Sequence, residues 1–158
     1  MKVMETIREW MGRGERGPEE AGDYAQLLTP GRWRLPGATS REEQAWCEWA
    51  GAERFRGEGC IVEFGPWLGS LTMPLMVGLL RNPRAGSRTI HTYDLFRWEP
   101  GSNGWAKGTP FDRLYQPGDS FLPLYEQLVA PFRGAVDLHI HEGDLSRADW
   151  TGAPIELL

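Results

Sequence analysis

Three acids and two glycines carry the chemistry open to this chain. The stretch "CIVEFGPWLGSLTMPLMVGLL" (residues 60–80) is an apolar run ending in Glu63, then a turn bracketed by Gly65 and Gly69. It resumes with Leu68, Leu71, Leu75 and Leu79 at helical spacing. Strand, glycine turn and helix in that order make a nucleotide-type site. Two further runs end the same way: "IHTYDLF" closes on Asp94 with Leu95 behind it, and "LHIHEGDL" closes on Gly143-Asp144. A carboxylate at a strand end can accept two hydrogen bonds from a ribose diol, and it suits an ammonium group.

The turn itself discriminates between ligands. A dinucleotide fingerprint needs a second glycine where the pyrophosphate approaches the backbone. Here the order is Gly65-Pro66-Trp67-Leu68-Gly69, with tryptophan at that place. A P-loop needs Gly-Lys-Ser/Thr, and "GSLT" lacks the lysine. A ligand with an adenosine but no phosphate would tolerate the tryptophan. S-adenosylmethionine (SAM) is one: adenine, ribose diol, amino-acid tail and a positive sulfonium.

The elements that position these residues alternate. "SREEQAWCEWA" opens with a capping box between Ser40 and Glu43, and Trp46, Trp49 and Ala50 follow at helical spacing, which predicts a helix over 41–55. Strands are predicted at 61–64, 89–93 and 136–141. One helix follows Gly69; another lies in "GDSFLPLYEQLVAP", with Asp119 or Ser120 as N-cap and Phe121, Leu124, Tyr125 and Leu128 as its apolar stripe. The alternation predicts an α/β fold: a Rossmann-like parallel sheet in spatial order 3-2-1, with right-handed crossovers and helices on both faces. Residues 97–118 hold seven Gly and Pro residues and no period, a connection long enough to be functional or disordered. Within it Trp98, Trp105 and Phe111 could form an apolar lid over a bound substrate.

At 158 residues, with 41% hydrophobic and 25% charged residues, the chain can bury one core. Its net charge of −5 argues against a nucleic-acid or anionic-membrane partner. The first residues, "MKVMETIREWMGRGERG", are too charged for a signal peptide, and no apolar run reaches spanning length, so a cytoplasmic protein is expected. Cys47 and Cys60 form no metal or redox motif and read as packed, reduced thiols. His139 and His141 share a strand face near Asp144, but "HIHEGD" is not the His-x-His-x-Asp-His of metallo-hydrolases.

"VEFGPWLGSLT" resembles motif I of class I SAM-dependent methyltransferases, in the Glu-x-Gly-x-x-x-Gly form of small-molecule O-methyltransferases. "IHTYDLF" resembles the strand carrying that family's ribose-binding acid, and its Asp-x-Phe is similar to the macrocin O-methyltransferase-like branch. "LHIHEGDL" resembles the third strand with its adenine-contacting aspartate, and "PIELL" the opening of strand four, beside 61–64. The resemblance implies a cofactor site of Glu63, Gly65, Trp67, Gly69, Ser70, Asp94, Leu95, Gly143 and Asp144. Glu63 would meet the methionine amine, Asp94 the ribose and Asp144 the adenine amino group. The implied acceptor is a small molecule, taken at oxygen; no catalytic residue is implied within the chain.

Residues 1–39 read as an N-terminal helical and loop extension, with short helices near the start and near Asp23 to Leu28, and 40–158 as a SAM-binding domain. Because "APIELL" opens a strand and stops at Leu158, the chain is expected to be the N-terminal part of a longer protein and inactive alone. Metal-dependent members of the family hold a divalent metal with residues at and beyond the end of strand four. Two other functions fit the same pattern: an NAD(P)-dependent oxidoreductase, against which Trp67 stands, and a Rossmann-like binding module without chemistry.

Overall fold

The computed structural model describes residues 36–148, 150 and 152–158. The short helices expected near the start and at residues 23–28 lie outside these. Four strands form one all-parallel sheet: β1 (Cys60–Phe64), β2 (Thr89–Asp94), β3 (Asp137–Glu142) and β4 (Ile155–Leu157), in spatial order β3-β2-β1-β4. The expected order 3-2-1 is present, and the "PIELL" strand lies beside β1. No described helix is long and apolar enough to cross a membrane.

Helix α1 (Arg41–Trp49) begins at the expected capping box: the Ser40 hydroxyl accepts from the Glu43 amide and the Glu43 carboxylate from the Ser40 amide. It runs on as a π-helical turn, Ala50–Arg54. Helix α2 (Thr72–Arg81) follows the glycine turn; Leu75 and Leu79 are buried, and its Met73, Pro74 and Met76 join them. The apolar stripe of α1 differs from expectation. Trp46 is exposed, while Gln44, Ala45, Cys47 and Glu48 are buried. The reason is the close crossing of α1 and α2, which favours small residues at the contact. Glu48 is buried there because Arg81 pairs with it, and the Gln44 amide donates to Thr39.

Residues 97–118 are ordered. The connection holds a short helix, α3 (Ser102–Ala106), and its neck is closed by an antiparallel bridge between Arg97 and Ser120. Trp98 donates its amide to Asp119 and accepts from Gly118. Trp98, Ala106 and Phe111 are fully buried and plug the loop onto the core. Helix α4 (Leu122–Val129) begins with its cap one residue after Ser120 and two after Asp119, and the Ser120 hydroxyl accepts the Leu122 amide at 3.4 Å. Phe121 occupies the cap position and Pro123 the first turn; Asp119 accepts instead from the Gln116 amide. Its stripe of Phe121, Leu124, Tyr125 and Leu128 is buried as expected.

Among the described residues, the two crossover helices lie on one face of the sheet rather than on both as predicted. The crossovers β1→β2 and β2→β3 step in the same direction along the sheet, so right-handedness puts α2 and α4 on one side. Only the link from β3 to β4 reverses, and its described part is a 3₁₀ turn, Leu145–Arg147, in place of a full helix. Beside it the opposite face carries a ring ladder: His91 stacks on His139 and His141, His141 on Tyr93, and Trp150 meets His91 edge-on.

Candidate functional site

The candidate residues gather at the C-terminal edge of the sheet, where α/β folds take ligands. Glu63 is in register with Thr92, two residues before Asp94, so both acids face the helix-covered side. Thr72, the first residue of α2, donates its hydroxyl to Glu63 Oε2 at 2.6 Å. The acid thus sits against a helix N-terminus, whose partial positive charge favours a carboxylate. Burial is nevertheless the larger influence, and the nearby Asp94 charge adds to it. Against the Thr72 hydrogen bonds, the Glu63 carboxyl is pushed up to about 7.

Asp94 accepts the Phe96 amide on Oδ1 at 2.7 Å. Burial raises its carboxyl, while the amides of Phe96, Trp67 and Leu95 hold it down. That set ties the end of β2 to the glycine turn after β1. Gly143 donates its amide to the Asp94 carbonyl at 2.9 Å, which brings the β3 end to the same place.

The turn has the backbone its glycines suggest. Gly65 and Gly69 have φ of +70° and +82°. A Cβ at Gly65 would meet nothing within 4 Å, so a ligand can approach the backbone there. At Gly69 it would press on Met73. Three non-glycine residues share the left-handed region: Trp67 at φ 44° after β1, Phe96 at φ 48° after β2, and Arg113 at φ 59° in the long connection. Such conformations cost of order 1–3 kcal/mol each and concentrate at functional sites.

Trp67 is packed rather than free. Its ring lies 5.6 Å from Trp98 and 5.5 Å, edge-on, from Trp105, and its Nε1 is buried without a partner. Ser70 is also buried; a Cβ added at Gly37 would stand 2.8 Å from its Oγ, so the segment before α1 lies over it. Leu95, by contrast, is half exposed beside Asp94. Gly143 and Asp144 line a cleft of about 490 Å³ with Tyr93, His141, Glu142 and Arg147. Asp144 caps the following 3₁₀ turn by accepting the Ser146 amide at 2.9 Å, which lowers its carboxyl.

Of the expected lid, Trp98 and Phe111 belong to the core; Trp105 alone stays 45% exposed. His139 and His141 do share a face, but His139 pairs with Asp137 and His141 with His91, at 3.0 Å each, and Asp144 turns to Ser146. Among the described residues no group of three or more His, Cys, Asp and Glu is placed to hold a metal ion. Cys47 and Cys60 are buried and unpaired, and burial pushes the Cys47 thiol up to about 12, the state of an inert packed thiol.

Sequence reasoning missed Thr72 and Tyr125. The Tyr125 hydroxyl donates to Thr72 Oγ1 at 3.4 Å, and both residues are fully buried below Glu63. Their signal was present: each is a polar residue on an otherwise apolar helix face. No protein-family model matches this chain, and no curated protein does.

Proposed function

We propose that this protein binds SAM at the C-terminal edge of its sheet and serves methyl transfer to an oxygen of a small molecule. One observation carries the ligand reading. Two partly buried carboxylates, Glu63 and Asp94, face the same side of the sheet beside a turn whose Gly65 is open to a ligand. Paired acids repel a pyrophosphate and attract a ligand bearing an ammonium and a sulfonium. They therefore speak for SAM over a nicotinamide dinucleotide. Strain at Trp67 and Phe96 speaks for a working site over an inert scaffold.

In this reading Glu63 takes the amino group and Asp94 the ribose hydroxyls. Leu95 offers its exposed side chain to the adenine, with Asp144 at its rim. Bound SAM supplies a methyl group on a cationic sulfur. The protein's part is to position it and to exclude water. Oxygen as the receiving atom rests on the resemblance of "YDLF" to the macrocin-type branch.

Asp94→Ala should weaken SAM binding ten- to a hundred-fold by calorimetry, the loss of hydrogen bonds to an ionised group costing about 1.5–3 kcal/mol. Equal affinity of variant and parent would remove the ribose assignment. In the same reading Trp105, edge-on to Trp67 and 45% exposed, walls the acceptor side. Trp105→Ala should raise the acceptor's KM several-fold while leaving SAM affinity within two-fold, since about 1 kcal/mol per aromatic contact is at stake. A fall in SAM affinity instead would assign Trp105 to the cofactor.

A further inference from the structure

A buried polar chain runs beneath the candidate site, although the Tyr125 ring also packs in the core against Phe96. Tyr125 on α4 donates to Thr72 on α2, and Thr72 donates to Glu63 on β1. The direction of the protons is set by the donors. A threonine hydroxyl has one hydrogen and two lone pairs. With the Tyr125 hydrogen filling a lone pair, the Thr72 hydrogen is free to point at Glu63 Oε2. An oxygen that receives a hydrogen there has no need of its own proton.

We propose that Thr72 and Tyr125 are positioning residues that hold Glu63 as a carboxylate oriented for a cationic group of the ligand. Three secondary-structure elements contribute one residue each, so the chain is a product of the fold and not of the glycine turn alone. The other ionisable groups around Glu63 are Asp94 on β2 and Cys47 on α1. Asp94 works against the carboxylate form, and so does burial. The thiol of Cys47, pushed up to about 12, stays neutral and adds no charge. The hydroxyl chain therefore opposes both influences that would protonate the acid.

The ligand side of this proposal rests on the SAM reading, whereas the state of the carboxyl does not, and the test separates them. The Glu63 carboxyl is followed by carbon-detected NMR through a pH titration of the full chain. In the parent its midpoint should lie near 7. Thr72→Val removes the hydroxyl at constant shape and should raise the midpoint by about one to two pH units, the worth of a hydrogen bond to a charged group. Tyr125→Phe should raise it less, since it acts through Thr72. Thr72→Ser, which restores the hydroxyl, should return the parent value, a rescue that a packing role would not produce.

SAM binding should follow the same midpoints. Affinity is full above the midpoint and falls as pH drops through it, because the protonated acid no longer attracts the amine; in Thr72→Val that fall should start at higher pH. If Thr72→Val and Tyr125→Phe both titrate like the parent, the positioning role is overturned. Should Thr72→Val fail to fold, Tyr125→Phe decides alone: a midpoint above the parent's sustains the positioning role and an unchanged one overturns it. A shifted midpoint in a protein that does not bind SAM would sustain the positioning role and overturn the ligand.

Discussion

Glu63→Gln should make the protein more stable at pH 8 and, in the same step, weaken SAM binding at least ten-fold. The two effects have one cause. Glutamine keeps an oxygen for the Thr72 hydroxyl but carries no charge, so it escapes the penalty that burial places on the carboxylate. The sign follows from linkage. The folded carboxyl titrates at about 7 against an ordinary 4.5. The acid's neutral form therefore fits the fold better, and stability from this group is full below 4.5 and lost as pH rises through 7. The advantage of glutamine should thus be greatest above pH 7, roughly 2–3 kcal/mol, and fade as pH falls toward 4.5. Thermal melts at pH 8 and pH 4.5 measure it, with a gain of about 5–10 °C expected at the higher pH. A residue kept at a cost to the fold is a residue kept for a ligand. A variant less stable than the parent at pH 8 would show that Glu63 is a structural anchor, and the ligand reading would lose its main support.

The parts of this molecule that were legible in the sequence are those governed by short-range rules. Ser40 and Glu43 announced the start of α1 because both partners of the capping box lie within one turn. Three strands could be placed because β1 is an apolar run and β2 and β3 are short alternating runs, each with an acid at its C-terminal end, and their parallel order followed from the alternation with helices. The turn at 65–69 was legible because its two bracketing glycines admit the positive φ that both adopt. What could not be read depends on partners far along the chain. The burial of Glu48 needs Arg81, thirty-three positions away, and the exposure of Trp46 follows from the same helix crossing. Residues 97–118 look irregular because their order comes from a closed neck and three buried side chains, not from a repeating pattern. That the described crossover helices share one face follows from the expected 3-2-1 order itself, since both long crossovers run the same way. At the site, Glu63 and Asp94 were visible as strand-end acids. The hydroxyl chain that tunes Glu63 was not, because it joins residues 63, 72 and 125 only once three elements have packed.

The crossing of α1 and α2 gives the largest expected loss of stability. Gly78 in α2 lies against the backbone of α1: a Cβ there would stand 2.0 Å from the Glu48 carbonyl oxygen and 2.9 Å from the Ala52 nitrogen. Gly51 answers it from the other side, where a Cβ would meet the Leu75 carbonyl oxygen at 2.6 Å. Neither obstacle is the end of a flexible side chain, so relief requires the two helices to move apart. Separation would also strain the contacts that bind them, the Arg81–Glu48 pair and the Asn82 amide, which donates to the carbonyls of Gly51 and Phe55 at 2.8 and 2.6 Å. Alanine in a helix interior normally gains about 0.5–1 kcal/mol over glycine. Here overpacking should reverse that gain, and Gly78→Ala should lose about 3 kcal/mol, a fall in melting temperature of roughly 5–10 °C. Gly104 in α3 is the control, because a Cβ there meets nothing within 4 Å. Gly104→Ala should leave the melting temperature unchanged or raise it slightly. If Gly78→Ala melted with Gly104→Ala, the helices could not be touching backbone to backbone, and the buried placement of Glu48 beside Arg81 would fall with that contact.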